Sequence, residues 1–444
     1  MVKVKKKGKI IILVPYPAQG HVNPMMKLAL AFLSLGFDPV MITPEFIHRR
    51  IVTNIDPNAK VKLVSVPDEL EKDEAPDFFA IEKALEDSIP YHLESVVRKI
   101  DEDGEVLCML VDLLASSAIE VGRRCGVPVA GYWPAMLPTY QIIRSIPDLL
   151  SARLISQTGS PRHGGQLSCV PNSPALSTRD LPWLIGNQAA RRARFKFWRR
   201  TMDRARDLNW LLMNSFSCGQ DDEHSKVFQV GALNSSKQGV TKCPSLWEED
   251  KSCLQWLDEQ KPNSVLYISF GSWVSPIEEA KVASLASTLE EIGQPFIWVL
   301  GHAWRQGLPK RYPERVSKQG KVVSWAPQME ILKHEAVGCY LTHCGWNSIM
   351  EAIQCRKRLL CYPVAGDQFV NCAYVVQKWR IGIRIYGFGY KDVEESLRRV
   401  MDDTGMNCRL MRLYESTMGD DARFRAMANL TTFLHNITIT TCLV

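Results

Sequence analysis

The chain has no apolar run approaching the ~18 residues that a helix needs to cross a bilayer, so a membrane-embedded class is not expected. It has no G-x-G-x-x-G turn, no Walker A loop and no G-x-S-x-G elbow. Dinucleotide oxidoreductases, P-loop phosphotransferases and α/β-hydrolases therefore lack their sequence signatures here. Cysteine is not scarce, but nothing pairs it. The 13 cysteines are odd in number and scattered through predicted strands and helices. That argues against a disulfide framework and for reduced thiols and a cytoplasmic home. Lysines precede "IIILVPYPA", yet the apolar stretch is short and no small-residue cleavage site follows, so it reads as a first buried strand rather than a signal peptide. The closing "NLTTFLHNITITTCLV" is too short and polar for a membrane anchor.

What is present is ordinary globular material: 444 residues, 46% hydrophobic and 23% charged. That length predicts two domains rather than one core. Much of the +6 net charge lies in two runs, the tail "MVKVKKKGKI" and "RRARFKFWRR" at 191–200. The first reads as a solvated tail. The second, with aromatics among its basic residues, reads as an exposed, partly amphipathic helix with a solvated face. Neither reads as a nucleic-acid surface.

Apolar runs alternate with helical stretches in both halves. In the first, "KIIILVPYP", "DPVMIT", "VLCMLVD", "VPVAGYWP" and "LNWLLMNSF" read as strands, and "NPMMKLALAFLSLGF" as a helix with Pro24 in its first turn and Gly36 at its end. After the polar, turn-rich stretch around 231–250, the rhythm restarts with "SVLYISFGS", "PFIWVL", "GKVVSWAP", "AVGCYLTHCG" and "RLLCYPV". The expected fold class is α/β, with two doubly wound Rossmann-like domains facing a cleft. The expected division is residues 1–235, a linker at 236–250, a second domain at 251–425, and a segment at 426–444 packing back toward the first.

The most informative stretch runs from Trp325 to Gln368, "WAPQMEILKHEAVGCYLTHCGWNSIMEAIQCRKRLLCYPVAGDQ". Its spacing of Trp325, Gln328, His343, Trp346, Asn347, Ser348, Glu351, Asp367 and Gln368 strongly resembles the 44-residue signature box of plant family 1 UDP-dependent glycosyltransferases. "PYPAQGHVNPM" and "WLDEQKPNSVLYISFGS" extend the likeness nearly end to end. The resemblance implies a GT-B fold that holds a UDP-sugar on its C-terminal domain and an acceptor mainly on its N-terminal domain. It assigns Trp346 to the sugar pocket and Asp367 and Gln368 to the glucose hydroxyls, with Gln at the final position favouring glucose over galactose. Ala326 and Gly345 join the donor-binding set.

The residues support this independently. "AVGCYLTH" is a buried strand and "GWNSIMEAI" starts a helix directly after it, and a helix N-terminus offers free N–H groups and positive potential to a diphosphate. His343, Asn347 and Ser348 add donors, and Gly271 and Ser272 form a second strand-to-helix turn. Neutral donors of this kind can stabilise a UDP leaving group, and no carboxylate cluster of the metal-binding D-x-D kind accompanies the segment, so neither metal nor other cofactor is expected. Trp325 offers a flat face for uracil, Gln328 an amide for the nucleotide's polar edge, and Glu351 an acceptor for both ribose hydroxyls.

His21 is the candidate general base. It follows the first strand at a helix entrance, where the neutral ring is favoured over imidazolium. Asp112 ends "VLCMLVD" and therefore lies on the same carboxyl edge of a parallel sheet, where it can orient the ring as in a Ser-His-Asp triad with the acceptor hydroxyl in place of Ser. Three features depart from the family: Arg356 and Arg358 stand where relatives commonly have Gly and Pro, Pro134 where many have Ser or Thr touching the sugar, and 65–80 is short.

The expected activity is inverting transfer of glucose from UDP-glucose to a hydroxyl of a small, fairly apolar acceptor by a monomer. The alternatives are a UDP-sugar-binding sensor or partner with little turnover, and a membrane-bound lumenal transferase.

Overall fold

The structure is a computed structural model and describes residues 8–55, 60–70, 76–167, 169–170, 172–216, 226–233, 245, 247–272 and 277–442. The start of the basic tail, most of the 236–250 linker and part of the short 65–80 stretch lie outside the described residues.

Two compact units emerge, one from Met1–Leu137, Phe197–Leu246 and Asp420–Val444, the other from Pro138–Lys196 and Trp247–Gly419. Each is built on one parallel sheet. The first sheet takes β1 (Lys9–Val14), β2 (Asp38–Pro44), β3 (Lys62–Val66), β4 (Glu105–Asp112) and β5 (Val129–Trp133). The short β6 (Gln166–Leu167) and β7 (Leu176–Ser177) form a separate antiparallel pair. β8 (Leu211–Met213) and β9 (Val227–Gln229) then complete the first sheet in the order β3-β2-β1-β4-β5-β8-β9. The second sheet takes β10 (Val265–Ser269), β11 (Phe296–Val299), β12 (Gly320–Val323), β13 (Val337–Thr342), β14 (Arg358–Cys361) and β15 (Gly382–Arg384), in the order β12-β11-β10-β13-β14-β15.

Both orders run outward in two directions from the sheet's first strand. β1 is flanked by β2 and β4, and β10 by β11 and β13, every pair parallel. Connections leave on opposite faces on either side of such a strand, and a crevice opens at its carboxyl end. The two switch points, β1/β4 and β10/β13, are where His21, Asp112, Ser272, His343 and Gly345 lie.

The central strands are buried on both faces, which is why they read as unbroken apolar runs: Ile11, Ile12 and Leu13 in β1 and Cys339, Tyr340 and Leu341 in β13 are at most 1% exposed. The first core is closed by the chain's end. Leu430, Phe433 and Ile437 of the Asp420–Cys442 helix pack into the same cluster as Leu13, Met25 and Phe32. Truncating a buried Phe such as Phe433 to Ala should cost about 3–5 kcal/mol.

One local reading needs correction. The first helix spans Gln19–Ser34, so Pro24 lies inside it rather than in its first turn. The Ala18 carbonyl accepts from both His21 and Val22 N–H at 2.9 Å, starting the helix ahead of the apolar pattern. Gly36 does end it, at φ 85°. The helix carrying "RRARFKFWRR" spans Gln188–Ala205 and is amphipathic as expected, with Arg191, Arg192, Lys196 and Arg199 exposed. Phe195 and Phe197 are buried, against Trp183 and Phe78 respectively. Arg200 pairs with Glu82 at 2.7 Å and Arg204 with Glu86 at 2.8 Å. Its aromatics anchor the helix to protein through its apolar face.

Candidate active site

In the first unit, β1 and β4 are direct neighbours, with Val14 opposite Val111. The chain leaving β1 turns through Tyr16 and Ala18 into the Gln19–Ser34 helix, and His21 falls in its first turn. Asp112 is the last residue of β4. The switch point thus brings together residues 91 apart in sequence: His21 Nδ1 lies 2.7 Å from Asp112 Oδ2. The aspartate side chain is fully buried and the histidine's is 20% exposed. Asp112 Oδ1 accepts the Leu114 N–H at 2.9 Å, which locks the carboxylate plane. Because a carboxylate only accepts, Nδ1 is the donor in this pair, and in the neutral tautomer Nε2 then carries the lone pair. The Tyr16 ring, 5.0 Å from the imidazole, limits its swing.

In the second unit, the turns after β10 and β13 meet in the same way. His343 follows β13, is 7% exposed, and is clamped by two glycines. A Cβ on Gly271 would lie 2.6 Å, and one on Gly345 2.4 Å, from His343 Nε2. Gly271 also has φ +81°, so both steric space and backbone conformation require glycine there. Burial pushes the His343 imidazole down to about 4, against a smaller upward pull from the Ser269 backbone. At neutral pH the ring is uncharged, one of the neutral donors expected of this turn. Ser272 is half-buried beside Gly271.

Gly345 is the N-cap of the Trp346–Gln354 helix, which places the first N–H groups of that helix, those of Trp346, Asn347 and Ser348, at the turn. Glu351 sits one turn on. It does not stand alone: Gln328 Nε2 donates to Glu351 Oε2 at 2.6 Å. Gln328 Oε1 in turn accepts from the Tyr267 hydroxyl at 3.0 Å and the Tyr340 hydroxyl at 3.2 Å. The amide read from sequence as a nucleotide contact is thus engaged in holding a carboxylate. Trp325 and Ala326 precede it. Trp325 is half-buried, its ring 6.0 Å from Trp247, and its carbonyl accepts the Asp250 N–H at 3.0 Å. Trp346 is only 4% exposed and its ring lies 6.5 Å from that of Trp379, so its bulk belongs to the core and its N–H to the turn.

Asp367 stands at the N-cap position of the Gln368–Ala373 helix without capping it through its side chain, and Asn371 reaches back to it, Nδ2 to Oδ2 at 2.8 Å. The same Nδ2 donates to the Cys344 carbonyl at 3.0 Å, tying Asp367 to the His343 turn. Sequence reading missed Asn371; its position one turn after Asp367 was the only signal. Gln368 Oε1 accepts the N–H groups of Val364 and Ala365, both at 2.9 Å. Its acceptor side is therefore occupied by the loop, and Nε2 remains for a ligand.

The departures sort cleanly. Arg356 has φ 56° just past a helix end, a left-handed conformation that favours glycine, and its guanidinium lies 4.7 Å from the Tyr414 ring centroid. Arg358 opens β14 and donates to the Met401 carbonyl at 2.8 Å. Pro134 is buried after β5, with its carbonyl accepting from Asn214 at 3.1 Å.

Comparison with known proteins points to one family. Residues 230–426 match the family model described as UDP-glucoronosyl and UDP-glucosyl transferase. UDP-glycosyltransferase 82A1 of Arabidopsis thaliana is 49% identical over 98% of this chain and 99% of its own length. The chain belongs to the plant family 1 UDP-glycosyltransferases. A flavonol 3-O-glucosyltransferase of the same plant, UGT76E12, is 30% identical over 90% of this chain and 89% of its own. Among solved structures, UGT71G1 of Medicago truncatula complexed with UDP-glucose superposes with a TM-score of 0.80 at 21% identity, covering 97% of this chain and 98% of that one. A UDP-glucose:anthocyanidin 3-O-glucosyltransferase in complex with UDP gives 0.79 at 22% identity, covering 98% and 99%. The fold of this glycosyltransferase is therefore GT-B, and its reaction is transfer from a UDP-sugar to a small molecule. Among the described residues no helix is long and apolar enough to cross a membrane.

Proposed function

We propose that this glycosyltransferase moves glucose from UDP-glucose to a hydroxyl of a small, fairly apolar acceptor, with inversion at the anomeric carbon. The observation that carries the proposal is the 2.7 Å His21–Asp112 pair, with Nδ1 committed and Nε2 able to accept a proton. An acceptor hydroxyl within hydrogen-bond reach of Nε2 gives up its proton as its oxygen attacks C1. Asp112 holds the ring and stabilises the imidazolium that forms. Attack opposite the leaving UDP turns the α-linked donor into a β-glucoside.

The donor is assigned to the second unit. Trp325 stacks on uracil, with Ala326 beside it. Glu351, held by Gln328, takes the ribose hydroxyls. The diphosphate goes to the turn formed by Ser272, His343, Gly345 and the helix N–H groups of Trp346, Asn347 and Ser348, where the charge that develops on UDP meets fixed neutral donors. Asp367 and Gln368 take the sugar. Residues 1–235 are taken as acceptor-binding and 251–425 as donor-binding, in a cytoplasmic monomer. Relatives named as glucosyltransferases support glucose as the sugar.

The test is incubation of purified enzyme with UDP-glucose and a panel of small phenols and alcohols. Mass spectrometry should find hexose adducts, and the anomeric proton coupling of the isolated product should report a β linkage. An α-linked product, or release of glucose with no acceptor ever modified, would overturn the proposal.

A further inference from the structure

Cys344, Cys361 and Cys372 meet in the second unit. Their sulfurs all lie within 4.8 Å of one another, and the residues are 0%, 0% and 1% exposed. They come from three elements. Cys344 follows His343 in the turn after β13 and holds φ 66°, Cys361 ends β14, and Cys372 lies on the Gln368–Ala373 helix. No ligand-like spacing announces them. The β13–β14 pairing, which sets Thr342 opposite Cys361, makes the triangle.

We propose that these three cysteines form a binding site for one soft, thiophilic divalent cation, distinct from the groups that carry the transfer reaction. Size is the first argument. Three sulfurs around an ion at a metal–sulfur distance of about 2.3 Å stand about 4 Å apart, so the triangle needs to contract by less than an ångström. Ligand chemistry is the second: thiolates without carboxylate or imidazole select soft d¹⁰ ions over magnesium or calcium. Charge is the third. Binding replaces three S–H protons by the ion and releases them, leaving a complex of net charge −1. Arg384 stands opposite Cys361 in the β14–β15 register, hence on the same face of the sheet. Its Nε is buried with no hydrogen-bond partner among the described residues, and its guanidinium lies 5.8 Å from the Phe369 ring. One cation thus faces one anionic complex, and the total is neutral. At these exposures the described residues close the cluster off from solvent, so uptake should be slow and should follow local opening.

The probe is cadmium(II). Reduced full-length protein is incubated with one equivalent and desalted, and retained metal is measured together with thiolate-to-cadmium ultraviolet absorption. Wild type should keep about one ion per chain with that absorption. Cys361→Ser and Cys372→Ala should each lose it, while exposed Cys408→Ser should keep it. No retained ion in wild type, or equal retention in the Cys361 and Cys372 variants, overturns the site. Should those variants fail to fold, wild type alone decides through maleimide mapping in mild urea. Cadmium should then shield Cys344, Cys361 and Cys372, and shielding confined to other cysteines refutes the proposal. Every readout is independent of sugar transfer, so its failure would leave the transferase reading untouched.

Discussion

Gln328 holds Glu351 by a 2.6 Å hydrogen bond, and two tyrosine hydroxyls hold Gln328. The amide is satisfied on both sides, so Glu351 is presented in one orientation before any nucleotide arrives. Preorganisation of this kind lowers the cost of ordering a ligand contact. Gln328→Ala should therefore weaken UDP binding almost as much as Glu351→Ala does, each by about 1.5–3 kcal/mol, the range for hydrogen bonds to a charged group. Calorimetry on the double variant should show a coupling of about 0.5–3 kcal/mol rather than simple addition. Additive losses would mean that Gln328 contacts the nucleotide separately.

His21→Ala should retain UDP binding and lose turnover by about 10² or more. Asp112→Asn is the sharper variant. It can keep the contact but donates where the carboxylate accepted, which turns the ring's lone pair toward residue 112 and its proton toward the acceptor. Turnover should fall while the affinity for UDP, measured by calorimetry, stays unchanged. Near-normal rates in Asp112→Asn would remove the aspartate from the mechanism.

His343 makes a pH prediction. Its folded value of about 4 lies below the ordinary 6.5, so between the two the unfolded chain binds the extra proton. Stability from this group is complete above about pH 6.5 and is lost as pH falls toward 4, by about 3 kcal/mol in all. Urea midpoints of wild type and His343→Gln, taken from pH 7 to pH 4, should converge or cross in that window. A constant difference between them across the range would contradict a neutral, buried ring.

Much of this was legible in the residues, for a physical reason. Strands buried on both faces, such as β1 and β13, must be continuous apolar runs, and a parallel sheet puts the residues after them on one edge. That logic places His21 beside Asp112 and His343 beside Gly271. Three of the four edge strands of the two parallel sheets are another matter, the fourth, β12, being legible as "GKVVSWAP". β3, β9 and β15 have five, three and three residues, and neither periodicity nor length marks them. Side-chain commitments were also invisible. Nothing in the spacing says that Gln328 faces a carboxylate, that Trp346 packs on Trp379, or that three cysteines converge, because each depends on which strands lie side by side.

Arg356 tests whether a departure from the family pattern matters. A non-glycine residue at φ 56° is strained by about 1 kcal/mol, and the stacking on Tyr414 returns about 0.5–1 kcal/mol. Arg356→Gly should therefore shift stability by no more than about 1 kcal/mol in either direction. Its partner Tyr414 lies on the Thr404–Met418 helix, not at the His343 turn, so kcat and KM for the UDP-sugar should stay within about twofold. A tenfold change in KM would tie this turn to the donor.

The choice of sugar rests on Gln368. Glucose and galactose differ only in the direction of the 4-hydroxyl, and a site built around one epimer leaves a buried group unpaired with the other. The Gln368 oxygen is taken by the Val364 and Ala365 N–H groups, so the side chain can only donate, from an Nε2 whose position the loop dictates. A donor fixed in this way discriminates better than an amide free to rotate. UDP-glucose should accordingly be used in preference to UDP-galactose. Gln368→His shortens the reach and changes which atoms meet the loop, and the preference should narrow. Gln368→Leu gives a second measure, because it leaves the Val364 and Ala365 N–H groups without their acceptor. It should cost stability by about 1–3 kcal/mol as well as selectivity. Competition between the two donors for one acceptor reads the ratio of kcat/KM directly. A wild-type ratio of one, or a preference for UDP-galactose, would show that the fixed amide does not set the sugar, even with transfer itself intact.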